Sequence, residues 1–187
     1  MDTERARWDS YGPNPIPDCP VPGSHIWGWC RVSELEWLHD QAAKMRNVVE
    51  VGALRGRSSY ALATGCNGLV YCIDPFDDEG GHCEPAFMEN AGCLQNVRPI
   101  KGFSPAVAKG IPKRGKVDMV YIDGDHSRAG IQADIDAWLP KTRTLICGHD
   151  YVDHPQAGYP DVKAVVDEMF GDRVSVAPDT AIWAVWL

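Results

Sequence analysis

Five short β-branched runs punctuate the chain, and the gaps between them have room for one helix each. The runs read "NVVEVG", "LVYCID", "VRPIKG", "VDMVYID" and "TLICGHD". Between them stand "SSYALAT", a stretch near 84–94, "SPAVAKG" and "AGIQADIDAWL". Runs that are apolar throughout suit strands covered on both faces, and the intervening segments supply the crossover helices of a parallel sheet. In the last of these segments Ile131, Ile135, Trp138 and Leu139 share one face. The pattern predicts an α/β fold with a mostly parallel sheet between two helical layers. Its end departs from the alternation. "DVKAVVDEMFG" reads as a helix with Val162, Val165, Val166, Met169 and Phe170 on one side. "RVSVA" and "AIWAVWL" then read as two strands of an antiparallel C-terminal hairpin with a tight turn.

Ahead of the first strand, "SELEWLHDQAAKM" predicts a helix. It opens on a capping box, Ser33 with Glu36, and places Leu35, Leu38, Ala42 and Met45 at helical spacing. Residues 1–30 are different. "YGPNPIPDCPVPGSHIWGW" holds five prolines and three glycines, which excludes a helix or a central strand. An irregular Pro-rich arm (1–30) followed by a single domain (31–187) is expected, and 187 residues suit one core. Ile26, Trp27 and Trp29 are too apolar to stay in water. The arm's end should therefore dock, either by packing on the sheet or a second subunit, as in a homo-oligomer, or as a loop over an active site.

The formal charge of -8 disfavours nucleic acid as a partner, since that partner needs a basic face. No run of eighteen apolar residues is present, so no membrane span is expected. The start, "MDTERARWDS", lacks the apolar core of a signal peptide. Seven cysteines, odd in number and without any CxxC, read as reduced thiols of a cytoplasmic protein rather than as a disulfide framework or structural zinc site.

"EVGALRGRSS" ends the first predicted strand and opens the next helix. Ligands of open parallel sheets bind beyond the carboxyl ends of the strands. Gly52 and Gly56 allow a tight turn and close approach of a ligand, and the helix start, at Ser58, offers unpaired N–H groups. A dinucleotide would want G-x-G-x-x-G. Here the middle glycine is missing, and Glu50 precedes the loop. A carboxylate disfavours a pyrophosphate and favours a cationic amino-acid moiety such as that of S-adenosylmethionine. Asp74, ending "YCID", can accept both hydroxyls of a ribose.

"YIDGDHS" follows the fourth strand and "CGHDY" the fifth. Adjacent parallel strands end side by side, so Asp123, Asp125, His126, His149 and Asp150 should converge. Carboxylates and imidazoles at one mouth suit a divalent cation such as Mg²⁺ or Mn²⁺, which also relieves their mutual repulsion. Solvated loop acids are the plainer alternative, with Asp125 or Ser127 capping the following helix.

These motifs resemble those of the class I S-adenosylmethionine-dependent methyltransferases, over about residues 33–187. That family carries E/D-x-G-x-x-x-G after strand one and an acid after strand two. The resemblance implies a Rossmann-like three-layer sandwich whose seven-stranded sheet runs in the order 3-2-1-4-5-7-6. It also implies that Phe103 and Ser104 of "KGFSP" help hold the adenine, with Glu50, Gly52, Gly56, Ser58, Asp74 and Asp123 completing the cofactor site. "IDGDHS…GIQADIDAWLP…LICGHDY" is similar to a metal-dependent O-methyltransferase branch, that of macrolide-sugar O-methyltransferases and cephalosporin hydroxylase-like proteins. That likeness implies a cation held by Asp123, His149 and Asp150, and His126 as base beside Asp123. His149 stands where an acid is usual, which favours Mn²⁺, Zn²⁺ or no metal over Mg²⁺. The implied activity is methylation of a small-molecule hydroxyl of sugar, catechol or natural-product type. A non-catalytic module binding S-adenosylmethionine and an NAD-dependent enzyme are the competing readings.

Overall fold

A computed structural model of the chain describes residues 14–77, 81–111, 117–152 and 160–187. Seven strands form one sheet in the order β3-β2-β1-β4-β5-β7-β6. They are β1 (Asn47–Val51), β2 (Leu69–Asp74), β3 (Val97–Lys101), β4 (Val117–Ile122), β5 (Thr142–Gly148), β6 (Ser175–Val176) and β7 (Trp183–Trp186). The first five are parallel. The strand β7 runs antiparallel between β5 and β6. The order is the one the family resemblance implied. The hairpin is shorter than the sequence pattern suggested. Only Ser175–Val176 pairs on its first side, and Asp179 turns the chain at φ 58°. Trp183 is buried, whereas Trp186 at the end of β7 is 52% exposed and packs no core.

Helices α1 (Val32–Ala42) and α2 (Arg57–Gly65) cover one face, joined by α3 (Cys83–Phe87) and a π turn over Met88–Gly92. On the other face lie α4 (Ser104–Gly110), α5 (Arg128–Trp138) and α6 (Pro160–Phe170). Strand alternation sorts the core between the two layers. Val48, Cys72, Met119, Tyr121, Leu145 and Cys147 face α1 and α2. Val49, Val51, Ile73, Val120, Ile122 and Ile146 face α5 and α6. The expected apolar faces of α5 and α6 are the buried ones: Ile131, Ile135 and Trp138, and Val162, Val165 and Val166.

One expected cap is placed differently. The helix α1 starts at Val32 with Arg31 as its N-cap, and Glu34, not Glu36, reaches back to accept the Arg31 N–H at 2.7 Å. Ser33 instead donates to the Asp179 carbonyl at 3.2 Å, joining the helix to the hairpin turn. At α5 both expected cappers act. Ser127 Oγ accepts from Gly130 N–H at 3.1 Å, and Asp125 Oδ1 accepts from Ser127 N–H at 2.9 Å.

The arm's described part docks on the face of α1 and α2, burying Ile16, Val21, Ile26 and Cys30. It is held by a side chain the sequence did not single out. Arg57, in the first turn of α2, donates Nε to the Cys30 carbonyl at 2.8 Å and Nη1 to the Ile26 carbonyl at 2.5 Å. All seven cysteines are free, and only Cys93 is exposed. Among the described residues, no helix is long and apolar enough to cross a membrane. Residues 1–13, including the charged start, lie outside the described residues.

Candidate active site

The β1–α2 loop is pinned from both sides of its strand. Gly52 N–H donates to the Ile73 carbonyl at 2.9 Å, and Asp123 N–H donates to the Val51 carbonyl at 2.8 Å. Gly52 and Gly56 both take φ 89°, where a side chain is strained. Space is missing as well. A Cβ on Gly52 would lie 2.0 Å from the Asp123 carbonyl oxygen, and one on Gly56 would lie 2.8 Å from Ala91 Cβ. The glycines therefore let the loop settle onto β4 and the π turn, and the close approach they permit is first of all one of backbone to backbone.

Asp74, at the end of β2, shapes the rim beside this loop. Its Oδ2 accepts from Leu54 N–H at 2.9 Å and its Oδ1 from Phe76 N–H at 2.7 Å. Leu54 and Phe76 both have left-handed backbones, φ 47° and 49°, so the carboxylate secures two strained positions at a cleft edge. That cleft is about 1220 Å³ and opens at the carboxyl ends of β1, β2, β4 and β5. Pockets for a single drug-sized ligand run to roughly 300–1,000 Å³, so this cleft exceeds the space that one such ligand needs. Gly52, Ser58, Asp74, Phe103, Ser104, Asp123, His126, His149 and Asp150 all line it. Phe103 is 67% exposed, while Ser104 is buried and accepts from Trp138 Nε1 at 2.7 Å. Trp27 and Trp29 of the arm form part of the wall in an edge-on pair, with the Arg55 guanidinium 4.7 Å from the Trp27 ring centre.

Two expected site residues stand elsewhere. Glu50 does not reach the cleft wall. It is fully buried beneath the start of α2, where Ser58 Oγ donates to it at 2.5 Å and Ser59 Oγ donates to its other oxygen. Burial pushes its carboxyl up to about 7, against the lowering effect of the two serines. The physical reason is strand alternation: Val48 faces the α1–α2 layer, and Glu50 follows it. Gly56 likewise sits behind the wall, against Ala91.

At the ends of β4 and β5 the acids and imidazoles do meet. His126 Nε2 lies 2.8 Å from Asp150 Oδ2 and 3.3 Å from Asp123 Oδ1. Burial alone would lower the His126 pKa, but the two carboxylates raise it to about 9. Asp150, at φ 56°, is held well below the usual carboxylate range, because the two imidazoles outweigh its burial. Ligand atoms of Asp123, His126 and Asp150 lie within 4.8 Å of one another, close enough to share a divalent cation. His149 takes a different direction. Its Nδ1 is 3.3 Å from Asp150 Oδ1, but its Nε2 turns away, to 3.0 Å from Glu34 Oε2. Asp125 also lines the cleft, with Oδ1 engaged in the turn before α5.

Asp134 is not among the residues that the sequence motifs single out. It is buried in α5 and lines the cleft near Ser104, and burial raises its carboxyl pKa. The signal was present. Positions 131, 134, 135 and 138 form one helical stripe, so an acid there faces inward. Arg57 carried no comparable signal, because its acceptors are carbonyls of a distant irregular segment.

The model of a family described as "Methyltransferase domain" matches residues 49–151. No curated protein matches the chain. Among solved structures, the chain is similar to an O-methyltransferase from Bacillus cereus in complex with S-adenosylhomocysteine (20% identity, 100% of this chain and 92% of that one, TM-score 0.62). It is also similar to TomG from Streptomyces achromogenes, an O-methyltransferase involved in tomaymycin synthesis and solved with S-adenosylmethionine. There the identity is 19%, over 100% of this chain and 90% of that one, with a TM-score of 0.63. An S-adenosylhomocysteine-bound methyltransferase from Podospora anserina gives 14% identity over 100% and 89%, with a TM-score of 0.64. At such identities these likenesses establish the shared fold. The family match spans more than half of the chain, from β1 through the acids after β5, and the protein belongs to the methyltransferase-domain family.

Proposed function

We propose that the protein transfers the methyl group of S-adenosylmethionine to a hydroxyl oxygen of a small molecule, of sugar, catechol or natural-product type. The observation that carries this reading is the meeting of Asp123, His126 and Asp150 in the wall of the cleft that also holds Gly52 and Asp74. A donor site and a proton-handling cluster thus share one space. The O-methyltransferases of the same fold, one solved with the donor and one with its demethylated product, support the assignment.

The residues divide the work. Asp74 keeps a second lone pair on each oxygen for ribose hydroxyls, and the exposed Phe103 ring offers a face for adenine. With Glu50 capped by serines, Asp123 beside Gly52 is the carboxylate that faces a cationic donor. Trp27 and Trp29 wall the cleft on the arm's side, where an acceptor can rest against their rings. Holding both partners in line supplies much of the rate. The acceptor's oxygen takes the methyl carbon as the carbon–sulfur bond breaks, and its proton passes to the deprotonated form of His126, so the rate should rise with pH toward about 9.

The donor set of Asp123, Asp150 and His126 fits a divalent cation, with two hard oxygens for Mg²⁺ and a nitrogen that shifts preference toward Mn²⁺. Bound there, such a cation would polarise the acceptor hydroxyl and lower its pKa, and would take over the task of activating it from His126, which would then serve as a ligand and not as the base. A metal-free reading has its own observation, since the His126 imidazolium already bridges both carboxylates and offsets half of their charge.

Incubation with S-adenosylmethionine and a panel of catechols, phenols and sugars, read as S-adenosylhomocysteine formed, tests the proposal. Turnover of a hydroxyl acceptor is expected, with His126→Ala slower by roughly 10²–10⁴-fold. Donor binding without turnover of any acceptor would make the protein a binding module. Turnover that survives a chelator unchanged would select the metal-free mechanism.

A further inference from the structure

Beside the Asp123–Asp150 pair, three further side chains converge from separate elements. Cys30 ends the arm, Glu34 lies in the first turn of α1, and His149 follows β5. Their sulfur, carboxylate and imidazole ligand atoms all lie within 4.8 Å of one another. Cys30 and Glu34 are buried, and the His149 side chain is 10% exposed. His149 Nε2 approaches Glu34 Oε2 at 3.0 Å, yet this buried nitrogen makes no hydrogen bond of good geometry. Its partner within the cluster is the Glu34 carboxylate, met as an ion pair without hydrogen-bond geometry.

The surroundings hold each group as a ligand shell would. The opposite ring nitrogen of His149, Nδ1, faces Asp150 Oδ1 at 3.3 Å and Asp123 Oδ1 at 3.8 Å. A proton on Nδ1 directed at these carboxylates leaves a lone pair on Nε2, the usual arrangement of a metal-bound histidine. Glu34 is fixed by the Arg31 N–H on Oε2, and by Arg31 Nε at 3.0 Å and Ala181 N–H at 3.0 Å on Oε1. The Tyr121 hydroxyl sits 3.4 Å from Cys30 Sγ and donates to Asp123 Oδ2 at 3.3 Å.

We propose that Cys30, Glu34 and His149 bind one borderline cation of the Zn²⁺ class, at a site separate from the oxygen-rich Asp123–Asp150 pair. Sulfur, nitrogen and oxygen from three residues make a zinc set, whereas Mg²⁺ prefers oxygen throughout. Three protein ligands leave a fourth position, and Cys30 and His149 both line the cleft from which water or acceptor can fill it. Charge balances. The Cys30 thiolate and the Glu34 carboxylate supply the two negative charges that a dication needs, the thiol proton leaving as the metal enters. The bound cation ties the arm to α1 and β5, and its binding does not depend on which reaction the cleft performs.

Titration of the metal-stripped, full-length protein with Co²⁺ and then Zn²⁺ tests the site. The expected result is one equivalent of Co²⁺ giving an intense thiolate-to-cobalt absorption band, displaced by Zn²⁺. Cys30→Ser should abolish the band, and Cys93→Ser, which removes the exposed thiol, should leave it intact. Glu34→Gln, which keeps the side chain's shape, should weaken Zn²⁺ by at least about tenfold. A wild-type protein without the band, a band that survives Cys30→Ser, or unchanged Zn²⁺ affinity in Glu34→Gln would each overturn the proposal.

Discussion

Glu50 shows how one position governs two properties at once. It is an acid on a strand face that otherwise carries Val48 toward the α1–α2 layer, so folding removes it from water. Its folded pKa of about 7 lies above the ordinary 4.5, so the folded state holds the proton more tightly than the unfolded one. Its own contribution to stability is then full below about pH 4.5 and is lost as pH rises through 7, by roughly 3 kcal/mol in all. Chemical denaturation across pH 4–8 should show this fall in the ligand-free protein and a flatter profile in Glu50→Gln. Parallel profiles would contradict the burial argument. Gly52 gives a second prediction at this scale. Gly52→Ala combines φ 89° with a 2.0 Å clash against backbone, and should cost at least about 2 kcal/mol in the same measurement. The identity of these residues was legible from the motif, but their direction was not. Counting strand alternation from the buried neighbours would have turned Glu50 inward and carried His149, two residues beyond Cys147, toward the α1 side.

At the scale of elements, periodicity was sufficient where packing follows periodicity. The strands and the stripes of α5 and α6 were readable because one face of each meets the core. The helix α1 is capped two residues before the capping box that its sequence suggests, since Glu34 answers to Arg31 and also accepts from Ala181 N–H, a contact set by the distant hairpin. The arm is the extreme case. Its prolines excluded regular structure but not its course, which Arg57 sets through carbonyls about thirty residues upstream. Arg57→Ala would leave those carbonyls unsatisfied at a buried seam. Loss of roughly 2–4 kcal/mol is expected, with new proteolytic cuts in residues 14–30 well below the global transition. An arm as protected as in the wild type would show that apolar packing alone docks it.

The whole molecule places chemistry where the topology demands it. Five parallel strands deliver their loops to one edge of the sheet, and the arm flanks that edge with Trp27 and with Trp29, which stays 67% exposed although its apolar ring was expected to dock. Residues scattered from 27 to 150 therefore share a single cleft, a convergence that strand order predicts and that no local pattern reveals. Separable functions within the cleft follow. Asp150→Ala should abolish any response of turnover to Mg²⁺ or Mn²⁺ while leaving donor binding within a few fold, because Asp74 and the Gly52 loop stand on other strands. Assays of initial rate against cation concentration read the first effect and calorimetry the second. The claim beneath all of this is that the cleft recognises a sulfonium donor rather than a dinucleotide. Calorimetric titration of the purified protein with S-adenosylmethionine and, separately, with NAD tests it most directly. One saturable equivalent of S-adenosylmethionine, weakened at least tenfold in Asp74→Ala, is the predicted result; binding of NAD with no heat from S-adenosylmethionine would contradict it.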